Sequence, residues 1–237
     1  MIGPQSVGRT ASRNDDGYRR TDIDWRGPRG RLLFSAAAVA VAGQDEAVQT
    51  PAARGVTQVL TAAELAAWGR DRGDAGALIM AARLLAEVPV RTAEGDSDDE
   101  SPFLTPTSLL DEAAVMAAGN TGVIDAIDRL RDPLTRGVRS SIFGAGPVLT
   151  VKSLQARERW AFDVEARGGE ILRVAAIGDG DTNIDLVVRD ARGAVVCRDG
   201  FGDHYPVCTV SPRTGGQMQV DVVNRGDVWT KVQVLSN

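Results

Sequence analysis

From about Val148 to the C-terminus, apolar residues recur at every second position. That period places one face of each segment in a core and dictates extended strands. Trp160, Phe162 and Val164 alternate with Ala161, Asp163 and Glu165, and Ile184, Leu186 and Val188 alternate with Asp185, Val187 and Arg189. Met218, Val220 and Val222 alternate with Gln219, Asp221 and Val223, and Val232 and Val234 with Lys231 and Gln233. Turn sequences separate the runs: Arg167-Gly168-Gly169, Ala191-Arg192-Gly193, Asp199-Gly200, Thr214-Gly215-Gly216 and Arg225-Gly226-Asp227. About eight short strands so spaced predict an antiparallel β-sandwich. A core drawn from about ninety residues is thin and benefits from a covalent staple. Cys197 and Cys208, the only cysteines, bracket one short loop, and in an exported chain such a pair predicts a disulfide.

Upstream the period becomes helical. Thr61-Ala62-Ala63-Glu64 has the pattern of a capping box, which predicts a helix start there, with Gly69 and Gly73 ending that helix. Asp74 is positioned to cap a second helix carrying Leu78, Ala81, Ala82 and Leu85 on one face, stopped by Pro89. Thr105-Pro106 reads as a cap and first-turn proline for a third helix with Leu109, Leu110, Ala113, Ala114 and Ala117. Asn120 or Thr121 caps a fourth, with Val123, Ile124, Ile127 and Leu130 in a stripe before Pro133. Leu65, Leu78, Ile79 and Leu85 align with Leu110, Val123, Ile124 and Leu130, so the four helices read as two helical hairpins or as a plain bundle. The acidic run Glu94-Gly-Asp-Ser-Asp-Asp-Glu100 contains no apolar residue and reads as a solvated linker, with a calcium loop as the alternative.

The N-terminal region predicts export. Arg26, Arg29 and Arg31 precede an apolar run from Leu32 to Val41, and Ala40-Val41-Ala42 supplies a small-x-small cleavage pattern, so cleavage is expected between Ala42 and Gly43. The run falls well short of the ~20 residues a membrane span needs. Met1 to Trp25 is polar and of mixed charge, unlike a signal peptide, and reads as a disordered leader or an over-extended start. Residues 44–54 read as a spacer. With a net charge of -5, neither nucleic acid nor an anionic membrane is the natural partner. A single histidine, His204, excludes a His₃ zinc site and an HExxH motif, and any Ser-His-Asp triad would have to use it.

Asp179, Asp181, Asn183 and Asp185 have the spacing that opens a calcium loop, where hard oxygens at alternate positions converge on one ion. The EF-hand pattern fails, because Ile184 and Asp190 stand where it needs glycine and glutamate. The bland reading is that Asp181, Asn183 and Asp185 face water while Ile184, Leu186 and Val188 face the core. Calcium takes about 6–8 oxygens, so Asp199, Asp203 or Asp227 would have to contribute. Arg72-Gly73-Asp74 and Arg225-Gly226-Asp227 match an adhesion tripeptide but also ordinary turn and cap chemistry. Trp160, Phe201, Tyr205 and Trp229 are expected to serve core and hairpin packing, with an exposed ligand-binding patch as the alternative.

Residues 148–237 resemble the bacterial pre-peptidase C-terminal domain. The likeness rests on Gly178-Asp-Gly-Asp-Thr-Asn-Ile-Asp-Leu-Val-Val-Arg-Asp190 with Gly193, on Cys197, Cys208 and Pro212, and on the closing segments Val220–Gly226 and Val228–Leu235. The family usually has Asp where this chain has Asn183, and often Tyr where it has Trp229. The resemblance implies a jelly-roll-like β-sandwich on a secreted protein, assisting secretion, folding or substrate binding, in some members with calcium. The expected fold class is therefore α+β: a helical-hairpin domain over residues 43–142, containing the acidic linker 93–101, then the sandwich over 143–237. The expected function is non-catalytic binding of an extracytoplasmic protein or surface polymer. The alternatives are a calcium-stabilised envelope component, or a hydrolase using the carboxylates of Asp179 to Asp185. No cofactor beyond that calcium is expected.

Overall fold

In the computed structural model of the chain, residues 46–92, 101–136, 141–202 and 204–237 are described. The expected cleavage point at Ala42–Gly43, the leader, the acidic run 94–100 and Asp203 lie outside the described residues. The described chain is α+β, with four helices and two mainly antiparallel sheets that together hold nine strands.

The helices are α1 (Pro51–Arg72), α2 (Ala75–Glu87), α3 (Pro106–Met116) and α4 (Thr121–Arg136). Helix α1 begins earlier than expected. Thr50 is its N-cap, its hydroxyl accepting from the Ala53 N–H at 3.1 Å, and Pro51 fills the first turn. Buried Ala53, Val56 and Val59 extend the apolar stripe back to that cap. Thr61 consequently lies mid-helix, where its hydroxyl donates back to the Thr57 carbonyl at 3.0 Å. The spacer expected over residues 44–54 is, in its described part, a bridge between Val48 and Glu170 followed by the first turn of α1. Gly69 is buried inside α1 and Gly73 ends it. Asp74, Thr105 and Asn120 cap the next three helices as expected, Thr105 and Ser108 forming a reciprocal capping box. Helix α4 runs through Pro133 instead of stopping before it; close to the C-terminus the missing N–H forfeits one bond. Arg70 on α1 donates from Nε and a terminal nitrogen to both Glu112 oxygens on α3, at 2.7 and 2.8 Å. That bidentate bond, opposed in part by burial, raises the Arg70 pKa.

The strands are β1 (Arg91–Thr92), β2 (Val148–Leu154), β3 (Arg159–Ala166), β4 (Leu172–Gly178), β5 (Ile184–Arg189), β6 (Val195–Asp199), β7 (Val207–Val210), β8 (Gly216–Asn224) and β9 (Thr230–Ser236). One sheet has the order β1-β2-β9-β4-β7 and the other β3-β8-β5-β6. Their facing sides form one core from Leu154, Leu172, Val174, Ile184, Leu186, Val188, Val220, Val222, Val232 and Val234. Every run with a period of two keeps the expected face inward. Cys197 on β6 bonds Cys208 on β7 with a Cα–Cα distance of 5.8 Å, joining the edge of one sheet to the edge of the other.

The helices and the sandwich share a core. Ala175, Ile177 and Leu235 point from the back of the five-stranded sheet into the cluster that contains Val56, Leu78, Leu109, Leu110 and Ile127. Helix α1 packs on β4 and β9, α2 on α1, and α3 and α4 on α2. The regions distinguished by sequence at 142/143 are therefore layers of one compact unit spanning Gln44–Asn237. A polar tie crosses the layer boundary. Gln233, buried on β9, accepts from the Leu104 N–H at 2.5 Å and donates to the Leu104 carbonyl at 3.5 Å, so its amide is satisfied by the turn before α3.

Candidate functional site

Four connections meet at one end of the sandwich: residues 155–158, 179–183, 200–202 with 204–206, and 225–229. Both sheets begin or end their strands here, because Leu154 pairs with Thr230, Arg159 with Val223, and Ile184 with Asn224. The loops are laced together. The Arg157 N–H donates to the Gly226 carbonyl at 3.2 Å and the Arg225 N–H to the Asn183 carbonyl at 2.9 Å. His204 meets the Thr182 carbonyl through Nδ1, and the Gly178 N–H donates to the His204 carbonyl at 2.8 Å. Asn224 is fully buried and its amide donates to the carbonyls of Gln155 and Val228, at 2.9 and 2.7 Å.

The four calcium candidates fall at this end and do not form one oxygen cage. The Asp179 carboxylate accepts from the Thr230 hydroxyl at 2.6 Å and the Lys231 N–H at 2.9 Å. Asp181 is exposed. Asn183 is half-buried and its Oδ1 has no hydrogen-bond partner. Asp185 does not face water as the alternation implied. It is 3% exposed on the outer side of β5, where Arg225 reaches its Oδ2 at 2.6 Å and Arg198 at 3.3 Å. A carboxylate neutralised by two guanidiniums is a poor calcium ligand. A Cβ at Gly200 would lie 3.0 Å from that carboxylate, so a glycine lets the β6–β7 loop close over it. Asp221 on β8 repeats the arrangement, 2% exposed between Arg159 at 2.6 Å and Arg189 at 3.1 Å. The outer face of the four-stranded sheet is thus organised by two buried carboxylates and four arginines. Among the described residues, no group of three His, Cys, Asp or Glu side chains is arranged to hold a metal ion.

The aromatic residues divide. Trp160 stacks on Phe162 at 4.4 Å and both pack on the sandwich core, and Tyr205 packs on the core beneath the helices. Phe201 and Trp229 lie outside both core clusters: Phe201 is 94% exposed and Trp229 is 54% exposed, with Val228 at 52%. Phe201 occupies the tip of the loop that the disulfide closes, and Val228 and Trp229 occupy the β8–β9 loop. The β4–β5 loop with Asp179 and Asp181 lies between them, as the strand order requires. The signal for Phe201 was its place between Gly200 and Gly202 in a turn, where a strand cannot bury it. The two adhesion-like tripeptides take part in caps and ion pairs. Gly73 and Asp74 are caps, Arg225 pairs with Asp185, and Asp227 pairs with Arg157 at 2.6 Å.

At the opposite end a half-open cleft of about 450 Å³ lies where the helical layer meets the sandwich. Arg91, Arg167, Glu165 and Glu170 stand on its walls beside the start of α1. The carboxylates of the calcium run do not line it.

No family model matches this chain, and no curated protein matches it. Among solved structures it is similar to the pre-peptidase C-terminal domain of a collagenase from Bacillus anthracis, at 7% identity over 38% of this chain and 89% of that one, TM-score 0.33. It is also similar to PliG, a periplasmic inhibitor of g-type lysozyme from Aeromonas hydrophila, at 15% identity over 38% and 86%, TM-score 0.29. A third is the Yersinia pseudotuberculosis-derived mitogen, at 9% identity over 39% and 85%, TM-score 0.31. At these identities and TM-scores the likenesses carry no argument about this chain's family or role.

Proposed function

We propose that this is an exported, non-catalytic binding protein related to the pre-peptidase C-terminal domains, and that the loop end carrying Phe201, Val228 and Trp229 is its contact surface for an extracytoplasmic protein or surface polymer. The observation that carries the reading is Phe201, 94% exposed on a loop closed by the Cys197–Cys208 bond. Exposing a large apolar side chain on a constrained loop costs hydration free energy in the free protein and lowers the ordering cost on binding. The disulfide supports a compartment where thiols are kept oxidised. The non-catalytic reading is supported by the engagement of His204 with a backbone carbonyl and of Asp185 with two arginines.

A photo-crosslinking residue at position 201, installed in cells, is expected to capture a discrete adduct that the same residue at exposed position 115 does not. A Phe201→Ala change is expected to weaken binding to the captured partner at least ~10-fold, as for an aromatic anchor. The same adducts from both positions, or none from position 201, would remove the reading.

The second reading is a calcium-stabilised envelope component. It is favoured by the buried oxygens of Thr182 (Oγ1), Asn183 (Oδ1) and Asp199 (Oδ1), each without a hydrogen-bond partner. A site of about millimolar affinity would raise Tm by roughly 3–6 °C at about 10 mM calcium. An unchanged Tm would dispose of it.

A further inference from the structure

Among the described residues strand β3 is an open edge: the four-stranded sheet runs β3-β8-β5-β6, so β3 has a strand neighbour on one side only. It is regular over residues 159–166, in unbroken register with β8 from Arg159↔Val223 to Ala166↔Gly216, with no proline and no bulge. The Asn224 N–H donates to the Glu158 carbonyl at 2.9 Å, which fixes the alternation of the ladder. Trp160, Phe162 and Val164 then spend their backbone groups on β8, and Arg159, Ala161, Asp163 and Glu165 direct theirs outward. All four outward residues are exposed. Such an edge is a template for another strand.

We propose that a second copy of this chain is that strand, paired antiparallel with β3 about a two-fold axis through Phe162. The sequence of β3 is complementary to itself in this register. On the outer face Arg159 meets Glu165 of the second copy, twice by symmetry, and Ala161 meets Asp163. On the inner face Trp160 meets Val164 and Phe162 meets its own symmetry mate, closing the flank of the half-buried Trp160–Phe162 stack. The outward residues pair with outward residues, as an antiparallel ladder demands. Shifting the register by one pair in one direction sets Asp163 against Asp163. In the other direction Arg159 meets Asp163, but Glu158 falls against Val164 and Glu165 is left opposite Arg157, which at φ 62 lies outside the strand. Arg159 keeps its bond to Asp221 and has guanidinium donors left for the second copy; Glu165 has no ion pair among the described residues. The product is a continuous eight-stranded sheet across an isologous interface.

Sedimentation equilibrium of the full chain over about 1–100 μM is expected to give a reversible dimer of the 25.1 kDa chain. Glu165→Arg sets arginine against Arg159 in both pairs and is expected to weaken the dimer Kd at least ~30-fold, with the far-UV circular dichroism unchanged. Ala161→Pro removes an outward N–H, leaves every bond to β8, and is expected to weaken the dimer comparably. A monomer throughout that range, or a dimer indifferent to both changes, overturns the proposal.

Discussion

Replacing Gly146 by alanine is expected to destabilise the protein by more than about 3 kcal/mol and to lower Tm by roughly 6–12 °C or more. A Cβ there would fall 1.6 Å from the Pro89 carbonyl oxygen and 2.7 Å from its carbon, and Gly146 has φ 75. The obstruction is backbone, so no side-chain rotamer relieves it. The site is the seam where the chain leaves the helical layer for the sheet. The Arg91 N–H donates to the Pro147 carbonyl at 3.0 Å, Arg91 pairs with Val148, and the Arg91 side chain donates to the Gly146 carbonyl at 3.3 Å. Moving Pro89 aside breaks that parallel pairing and shifts the C-terminal end of α2. Gly169 is the control. It has φ 77 with nothing within 4 Å of its Cβ position, so Gly169→Ala should cost only the ~1 kcal/mol of left-handed strain. Thermal unfolding of both variants separates crowding from strain. Equal melting temperatures would refute the close approach of Gly146 to Pro89.

What could be read from the sequence follows from how many faces an element buries. Strands β5, β8 and β9 have one face in the sandwich core, and their alternation placed Ile184, Leu186, Val188, Val220, Val222, Val232 and Val234 correctly. Strand β4 gave no alternation, because Val174 and Ala176 face the sandwich while Ala175 and Ile177 face the helices. Gln233 occupied a position that alternation marks as solvated, yet the helical layer covers it. A period of two reports which side a residue takes, not what lies on that side. The same gap hid Asp185 and Asp221. Their spacing from Ile184 and Val220 is the spacing of exposed positions, and the arginines that bury them come from β3, β5, β6 and the β8–β9 loop. Pairings of that range are invisible in a local pattern. The cap of α1 was legible at Thr50-Pro51 and was outcompeted by the Thr61–Glu64 pattern, which matches the capping-box residues within a helix already under way.

Removing the disulfide, by reduction or by a Cys197→Ala/Cys208→Ala double change, is expected to cost about 3 kcal/mol in the chain-entropy picture for so short a loop. For a chain of this length that lowers Tm by roughly 6–12 °C. The bond joins β6 at the edge of one sheet to β7 at the edge of the other. Besides the bond, a cross-sheet link among the described residues is the Val207 N–H donating to Asp199 at 2.9 Å, while each strand's ladder runs to β5 or to β4. Loss of the bond should therefore loosen the β6–β7 corner before the rest. Hydrogen exchange ought to rise first at Val207, Cys208 and Thr209, while β8 and β9 keep their protection. The two consequences for function are separable. If Phe201 binds through a loop held in shape by the bond, reduction should weaken capture at position 201 under conditions where β8 and β9 remain fully protected. Capture unaffected by reduction would mean that the loop is shaped without the bond, by the Asp199–Val207 contact and the seat of Gly200 against Asp185. A melting temperature that reductant leaves unchanged would mean that the corner is held by its hydrogen bonds alone.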